Sequence, residues 1–380
     1  EHLKDTVNKL FSQVVSLLVD MGQISLEEQY IDGTKMESVA NKYTFVWKKT
    51  VEKNKAKLEE KIKNILSQID EGIAQDNTPD ADTMPVAIDS KLLAKEIEKL
   101  NEQNRQLPRE TKEEKQSAKA KEKVAKELKK HQEKLEEYEQ HLETLGPRNS
   151  YSKTDHDATF MHMKEDHMKN GQLKPGYNIQ AATTNQYIVD FALFPNPTDF
   201  RTFEPFLDQM KSRGILDKFQ NIVADAGYGS EYNYTLLEEN YSDKNYQIPY
   251  TQYEKEQTRK YKKDPSKVDN WYYNEEEDYY VDKSGVRFNF KYYSQRKDRS
   301  TGMVRNFKIY EADEFQLTEE LTQLAKTKTG RQRQIHYNPN WQYLKEKAKE
   351  TLQSEEGKRI YGCRKSDVEP IFGHMKSVFG

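Results

Sequence analysis

The stretch "NIVADAGYGS", residues 221–230, runs three apolar residues, Ile222, Val223 and Ala224, into an acid, Asp225, and then turns through Gly227 and Gly229. A short apolar run closed by glycine reads as a buried strand ending in a turn. An acid at the C-terminal end of such a strand stands where open α/β sheets hold their ligands. The ordinary alternative is that Asp225 caps the turn that follows. Two further acids in similar settings favour chemistry over capping. Asp32 ends the strand candidate "EQYIDGTK" and precedes Gly33 and Thr34. Glu369 falls in the first turn of an expected helix, with Ser366 or Asp367 as N-cap and Pro370 tolerated at such a start.

Two strand-end aspartates and a helical glutamate form an all-oxygen donor set suited to hard divalent cations, Mg²⁺ or Mn²⁺. Two such ions activate water and hold a leaving oxygen in phosphodiester chemistry. Asp225 is therefore read as a metal ligand, with Gly227 and Gly229 turning the backbone away from the cluster.

Composition is compatible with this reading. The 380 residues can bury a sizeable core, yet 33% are charged and mean hydropathy is -1.08, so part of the length is expected in solvated helices. A net charge of -3 gives no global sign of a polyanionic partner, which leaves local patches to supply one. The single cysteine, Cys363, excludes an internal disulfide framework and any multi-cysteine zinc site and fits a reducing cytosol. No apolar run approaches the roughly 18 residues of a membrane span, and no signal-peptide pattern opens the chain.

Outward from the central strand, the apolar spacing in residues 3–21 predicts an amphipathic helix. "YTFVWKK", residues 43–49, is expected as the hairpin partner of the Asp32 strand. Residues 50–148 change to long helices. Leu58, Ile62, Ile65 and Ile69 recur at helical spacing, as do Leu93, Ile97, Leu100 and Leu107. Val124, Leu128, His131, Leu135, Tyr138, Leu142 and Leu145 alternate steps of 4 and 3, a heptad seam. Pro79, Pro85, Pro108 and Gly146-Pro147 separate these helices, which predicts an antiparallel coiled-coil insertion acting as a spacer or self-association arm. Residues 176–194 read as two strands meeting at "TTNQ". Asp199 is expected to cap a helix reaching about Arg213, so that strand, helix and strand make a crossover with parallel pairing. "YQIPYT" adds a strand, residues 252–330 read as a β-rich insertion, and helix resumes near Trp341.

Four stretches, "IDGTKMESVANKYTFVW", "KEDHMKNGQLKPGYNIQ", "IVADAGYGSEYNY" and "SDVEPIFGHMK", together resemble the DDE transposases of bacterial insertion sequences, in this order and over most of the chain from about residue 25. The resemblance implies an α/β fold: an RNase H-like mixed sheet flanked by helices, with an antiparallel coiled-coil insertion and a small β insertion. The implied division is 1–49 for the first part of the core, 50–148 for the coiled coil, 149–251 for the core continued, 252–330 for the β insertion and 331–380 for the helical part carrying Glu369. The catalytic and metal-binding triad would be Asp32, Asp225 and Glu369, holding two Mg²⁺ or Mn²⁺ ions. The implied reaction is cleavage at the ends of the element, then attack of the freed 3′-hydroxyl on target DNA, without a covalent protein intermediate. Double-stranded DNA, a homodimer in the active complex and a cytoplasmic, nucleoid-associated location follow from the same likeness, with no membrane partner.

The family's Tyr, Arg, Glu, Lys signature is matched in part. Lys376 stands two helical turns after Glu369, on the same face, and suits a DNA phosphate. Lys365 takes the Arg place, while Gly362 takes the Tyr place with Tyr361 and Arg364 each one residue out of step. The DNA-contacting set is therefore Lys365, Lys376, Arg364, Lys164 and Lys174, with Lys169 and Tyr177 near the last two. The cysteines that many relatives carry in the β insertion are missing here, which removes a metal-ribbon reading of that block.

Other candidates carry ordinary readings beside the chemical ones. Asp155 and Asp157 are alternatives for the first acid but precede no apolar strand. His156, His162 and His167 are spaced off a single helical face and read as surface histidines. Trp271, Tyr272 and Tyr273 could stack bases but suit the core of a β insertion. The stretch before Asp32 is too short for the separate DNA-binding domain such transposases usually carry, and the chain ends soon after Glu369, so a trimmed or degenerate copy is expected. Rival functions are a DNA-binding or assembly remnant without chemistry, and an RNase H-like nuclease without strand transfer.

Overall fold

The computed structural model describes residues 2–25, 27–74, 88–106, 111–163 and 171–379. In chain order the elements begin with α1 (His2–Asp20), β1 (Glu28–Glu37), β2 (Phe45–Trp47), α2 (Lys48–Ala74), α3 (Ser90–Gln106) and α4 (Lys112–Leu145). Then come β3 (Ser150–Ser152), β4 (Thr159–His162), β5 (Leu173–Thr184), β6 (Tyr187–Phe194), α5 (Phe203–Ser212), β7 (Asn221–Ala224), α6 (Glu231–Asn240) and β8 (Asn245–Gln247). Two short helices, α7 (Tyr253–Gln257) and α8 (Arg259–Lys263), lead into β9 (Tyr272–Asn274), β10 (Tyr279–Val281), β11 (Arg287–Lys297) and β12 (Val304–Ala312). The chain ends with α9 (Glu319–Leu324), β13 (Gln334–Tyr337), α10 (Pro339–Gln353) and α11 (Glu355–Phe379). Two compact units result: Glu1–Met36 with Asn178–Gly380, and Glu37–Tyr177.

The first unit is built on a mixed sheet in which β5, β1, β7 and β8 are neighbours in that order and β6 pairs with β5. β1 and β8 both run parallel to β7, while β5 and β6 are antiparallel. The β5–β6 connection is the expected one at "TTNQ", with Asn185 (φ 52°) and Gln186 (φ 65°) both left-handed, the backbone that tight hairpin turns demand. Apolar residues alternate between the faces with the period of 2 that a pleated strand imposes. Ile31, Ala182, Ile222 and Ala224 join a core with Phe203, Phe206, Leu207 and Met210 of α5, and with residues of α1, α6 and α10. Tyr30, Ala181 and Val223 meet Ile360, Val368 and Phe372 of α11. Burial on both faces explains why "NIVA" is continuously apolar instead of alternating. The same unit holds a five-stranded antiparallel sheet, β13-β12-β11-β10-β9, whose core includes Tyr280, Val286, Phe288, Tyr310 and Ile335.

The second unit contains the three long helices. Leu58 and Ile62 of α2, Leu93 and Ile97 of α3, and Leu128 and Leu135 of α4 share one apolar cluster, flanked by Ile65, Leu100, Val124 and Tyr138. Lys48 and Lys55 at the start of α2 contact Asn149 and Glu139 at the end of α4, so these two helices run in opposite directions. Leu107, Pro79, Pro85 and Pro108 lie outside the described residues. No helix among the described residues is long and apolar enough to cross a membrane.

Four local expectations are corrected. β1 runs on through Glu37, so Asp32 lies inside that strand and does not end it. β2 pairs with β3, not with β1: Val46 lies opposite Tyr151, and the aromatic character of "YTFVW" serves a contact of Phe45 and Trp47 with Phe160. The parallel partners of β7 are β1 and β8, so the segment from β6 through α5 delivers β7 to the far side of β1. α11 begins at Glu355 and continues through Pro370, so neither Ser366 nor Asp367 is a cap. Leu135 is fully buried in the three-helix cluster, and Leu135→Ala is expected to lower stability by about 2–5 kcal/mol in chemical denaturation followed by circular dichroism.

Candidate active site

The register of the parallel pair places Asp32, within β1, and Asp225, just past β7, together. Ile31 lies opposite Ala224, so the next residues, Asp32 and Asp225, follow side by side, about one strand spacing, or about 4.8 Å, apart at the backbone. Asp32 is only 8% exposed. Its Oδ1 accepts from the Gly33 amide at 2.7 Å and its Oδ2 from Arg364 Nη1 at 3.0 Å. Asp225 is half-buried, and its Oδ1 accepts from the Gly227 amide at 2.7 Å. The turn-capping role and the sheet-end position thus coexist in Asp225. Neither Gly227 nor Gly229 has a left-handed backbone. Gly229 is needed for space: a Cβ there would stand 2.2 Å from the Pro249 carbonyl oxygen.

Arg364, on α11, bridges the two acids electrostatically. Burial works against its charge, but the Asp32 carboxylate, together with Tyr361 and Asp225, holds its pKa above the ordinary value. Tyr361 lies beneath the guanidinium, 5.8 Å from its carbon. Behind the strand ends, Tyr228 is fully buried. Burial first, and then the charges of Asp199, Asp32 and Asp225, push its hydroxyl well up, so it stays protonated and donates to Gln180 Oε1.

Asp199 departs from its expected role. It opens a short 3-10 turn, Asp199–Arg201, while α5 starts after Thr202. The Asp199 Oδ1 accepts from Asn178 Nδ2 at 3.0 Å and Gln180 Nε2 at 3.2 Å. Local chemistry alone suggests a cap; the signal that would have found this arrangement is the pair Asn178 and Gln180, two polar side chains on one face of a strand.

The remaining candidates are distributed as follows. Glu369 is exposed on α11, one residue past buried Val368. It is Arg364 of that helix that reaches Asp32. Among the described residues no group of three His, Cys, Asp or Glu is arranged to hold a metal ion. Asp367 is buried, accepting from Thr183 Oγ1 at 2.5 Å and from the Gln186 amide at 3.0 Å. Lys365 is exposed and Lys376 partly buried. Lys174 pairs with Glu37 at 2.5 Å, and Lys164, Lys169 and His167 lie outside the described residues. Asp155 is engaged by the hydroxyls of Ser38 and Tyr177 at 2.5 and 2.6 Å, a structural assignment. His156 and His162 are exposed. Trp271 stacks on Phe288 at 5.1 Å as part of the second sheet's core, whereas Tyr272 is exposed.

Comparison with protein families resolves the origin of this arrangement. A family model described as "Transposase DDE domain" matches residues 148–380, more than half of the chain. The chain belongs to the transposase DDE domain family. The match includes Asp225, Arg364 and Glu369 and begins after Asp32. No curated protein and no solved structure matches the chain. Membership in the transposase DDE domain family carries a transposase function in general, of polynucleotidyl-transferase type with DNA as the substrate class, and families of this kind use divalent metal ions.

The Asp32–Arg364 pair is well shielded, with both side chains 12% exposed. Removing its cation leaves a poorly solvated carboxylate. Arg364→Met is expected to cost about 1–3 kcal/mol, read as a lower midpoint in urea unfolding. A midpoint equal to that of the parent chain would show that the pair contributes nothing.

Proposed function

We propose that this chain is the catalytic part of an insertion-sequence transposase. In this reading the mixed sheet is RNase H-like, the three-helix arm is a coiled-coil insertion, and Asp32, Asp225 and Glu369 form the metal-dependent triad. The single observation that carries the proposal is the β1–β7 register, whose last pair, Ile31 with Ala224, is followed on β1 by Asp32 and, just past the C-terminal end of β7, by Asp225.

The donor set fits a hard divalent cation in its chemistry: it is all oxygen, and a cation, the Arg364 guanidinium, already rests on Asp32 Oδ2. Asp32 and Asp225 would hold the metal, with Glu369 the third ligand; when bound, a pair of such ions supplies Lewis acidity and a water nucleophile of lowered pKa. Glu369 precedes Pro370, which stands inside α11. Proline removes one helical hydrogen bond there, which lowers the cost of re-aiming that turn toward the aspartates. With a metal held by Asp32, Arg364 would be free to contact a DNA phosphate, the acceptor for which a guanidinium is best shaped. Lys365, Lys376 and Lys174 supply further phosphate contacts, as sequence-independent anchors.

In the first step water attacks a phosphorus at the element's end, and the bond from that phosphorus to the 3′ oxygen breaks, freeing a 3′-hydroxyl. In the second, that hydroxyl attacks a target phosphodiester, forms the new bond and releases the target's own 3′-hydroxyl. The active complex is a homodimer on double-stranded DNA, in the bacterial cytoplasm.

The exposed position of Glu369 favours one rival, a DNA-binding or assembly protein without chemistry. Calorimetric titration with Mn²⁺ distinguishes them. The parent chain is expected to bind, and Asp225→Asn is expected to lose at least about tenfold in affinity, with loss of Mn²⁺-dependent nicking of duplex DNA. Equal binding by both chains would sink the metal centre and leave the assembly reading. Nicked but never joined products would point to a nuclease lacking strand transfer.

A further inference from the structure

Asp199 has no part in the triad, yet its side chain lies between β1 at Gly33 and the turn after β7 at Gly227. A Cβ built on Gly33, directly after Asp32, would stand 2.8 Å from Asp199 Oδ1. A Cβ on Gly227, two residues after Asp225, would stand 3.6 Å from Asp199 Oδ2. One oxygen of the same carboxylate therefore faces β1 and the other the Asp225 turn; at Gly33 a Cβ would meet Gln180 Nε2 at 2.2 Å as well as Asp199, so glycine is needed there, whereas the Gly227 approach to Asp199 is ordinary contact. Asn178 and Gln180, both fully buried, fix the Oδ1 from the sheet side. Gln180 is held in turn by the hydroxyl of Tyr228, the residue on which the charges of Asp199, Asp32 and Asp225 all act.

Two amide donors require only an acceptor, which a neutral asparagine oxygen would supply. A full negative charge beside two other carboxylates adds repulsion that Asp199 would not need for that task. Arg364 offsets part of that repulsion at Asp32, and a divalent cation held by Asp32 and Asp225 would offset more. Resting on the metal-centre reading above, we infer that Asp199 is a positioning residue of that centre: it sets the separation of Asp32 and Asp225 and adds its charge to the field that draws a divalent cation to them.

Asp199→Asn keeps the shape and removes the charge. In the full chain this variant is expected to bind Mn²⁺ about tenfold more weakly by calorimetry, as loss of a group supporting metal ligands does, with its melting temperature in metal-free buffer unchanged. A merely structural role would move the melting temperature and leave Mn²⁺ affinity alone. Asn178→Ala, which releases Asp199 without touching either metal-binding aspartate, is the second variant and is expected to weaken Mn²⁺ binding in the same direction; it decides the matter if Asp199→Asn does not fold. Asp225→Asn runs beside them as the control. If that control loses Mn²⁺ while the Asp199 and Asn178 variants bind like the parent, the inference is overturned and the metal centre stands. If the control binds like the parent, the centre falls and the role of Asp199 falls with it.

Discussion

Parallel pairing of β1 with β7 is the constraint on which the rest of the molecule depends. It joins Glu28 to Asn221 and Ile31 to Ala224, and everything attributed to the site follows from where that pairing stops. One residue of slip would turn Asp32 or Asp225 to the opposite face of the sheet. The two-faced core prevents that slip: Ile31 and Ala224 are buried against one layer of helices and Tyr30 and Val223 against α11. Packing that looks merely structural therefore fixes the relative height of two carboxylates.

α11 has a double role in this scheme. Ile360, Val368 and Phe372 cover one face of the sheet, and Arg359, Arg364 and Asp367 tie the helix to Glu28, Asp32 and the β5–β6 turn through polar contacts. The helix is thereby registered against β1 along its length. Arg364 offsets the charge of a shielded Asp32, a service that a metal ion would perform in its place, and the helix supplying this cation is the one that carries Glu369.

Much of this was legible in the residues because it is local. The apolar run into Asp225, the turn at "TTNQ", the helical spacing of apolar residues in the three long helices and the alternation in the second sheet are each written within a few turns or strand steps of sequence. What was not legible depends on partners distant in the chain. β2 looks like a mate for the strand before it, and only the packing of Phe45 and Trp47 on Phe160 gives it β3 instead. Asp199 has the chemistry of a cap, and its carboxylate is taken by two amides from a strand some twenty residues earlier. Pro370 suggests a helix start, yet the preceding turns are held by burial of Ile360 and Val368 against the sheet, which outweighs one lost hydrogen bond. Arg364 looked out of step with the family signature, and its pairing with Asp32, a contact made across 332 residues, was not legible from spacing.

The distance along the chain between β1 and β7 also shapes how the molecule reaches its native state. Glu27 and Asn221, which meet at the start of the pair, are 194 residues apart, a separation that makes for high contact order and slow folding. The pairing of β2 with β3 pinches off the helical arm, whose own contacts join neighbouring helices, and shortens the remaining loop to roughly half. That halving lowers the entropic cost of closure by only about 0.6 kcal/mol. Its larger consequence is that the arm closes on its own neighbouring contacts, whereas the Asp32 and Asp225 strands depend on a contact that spans half the chain.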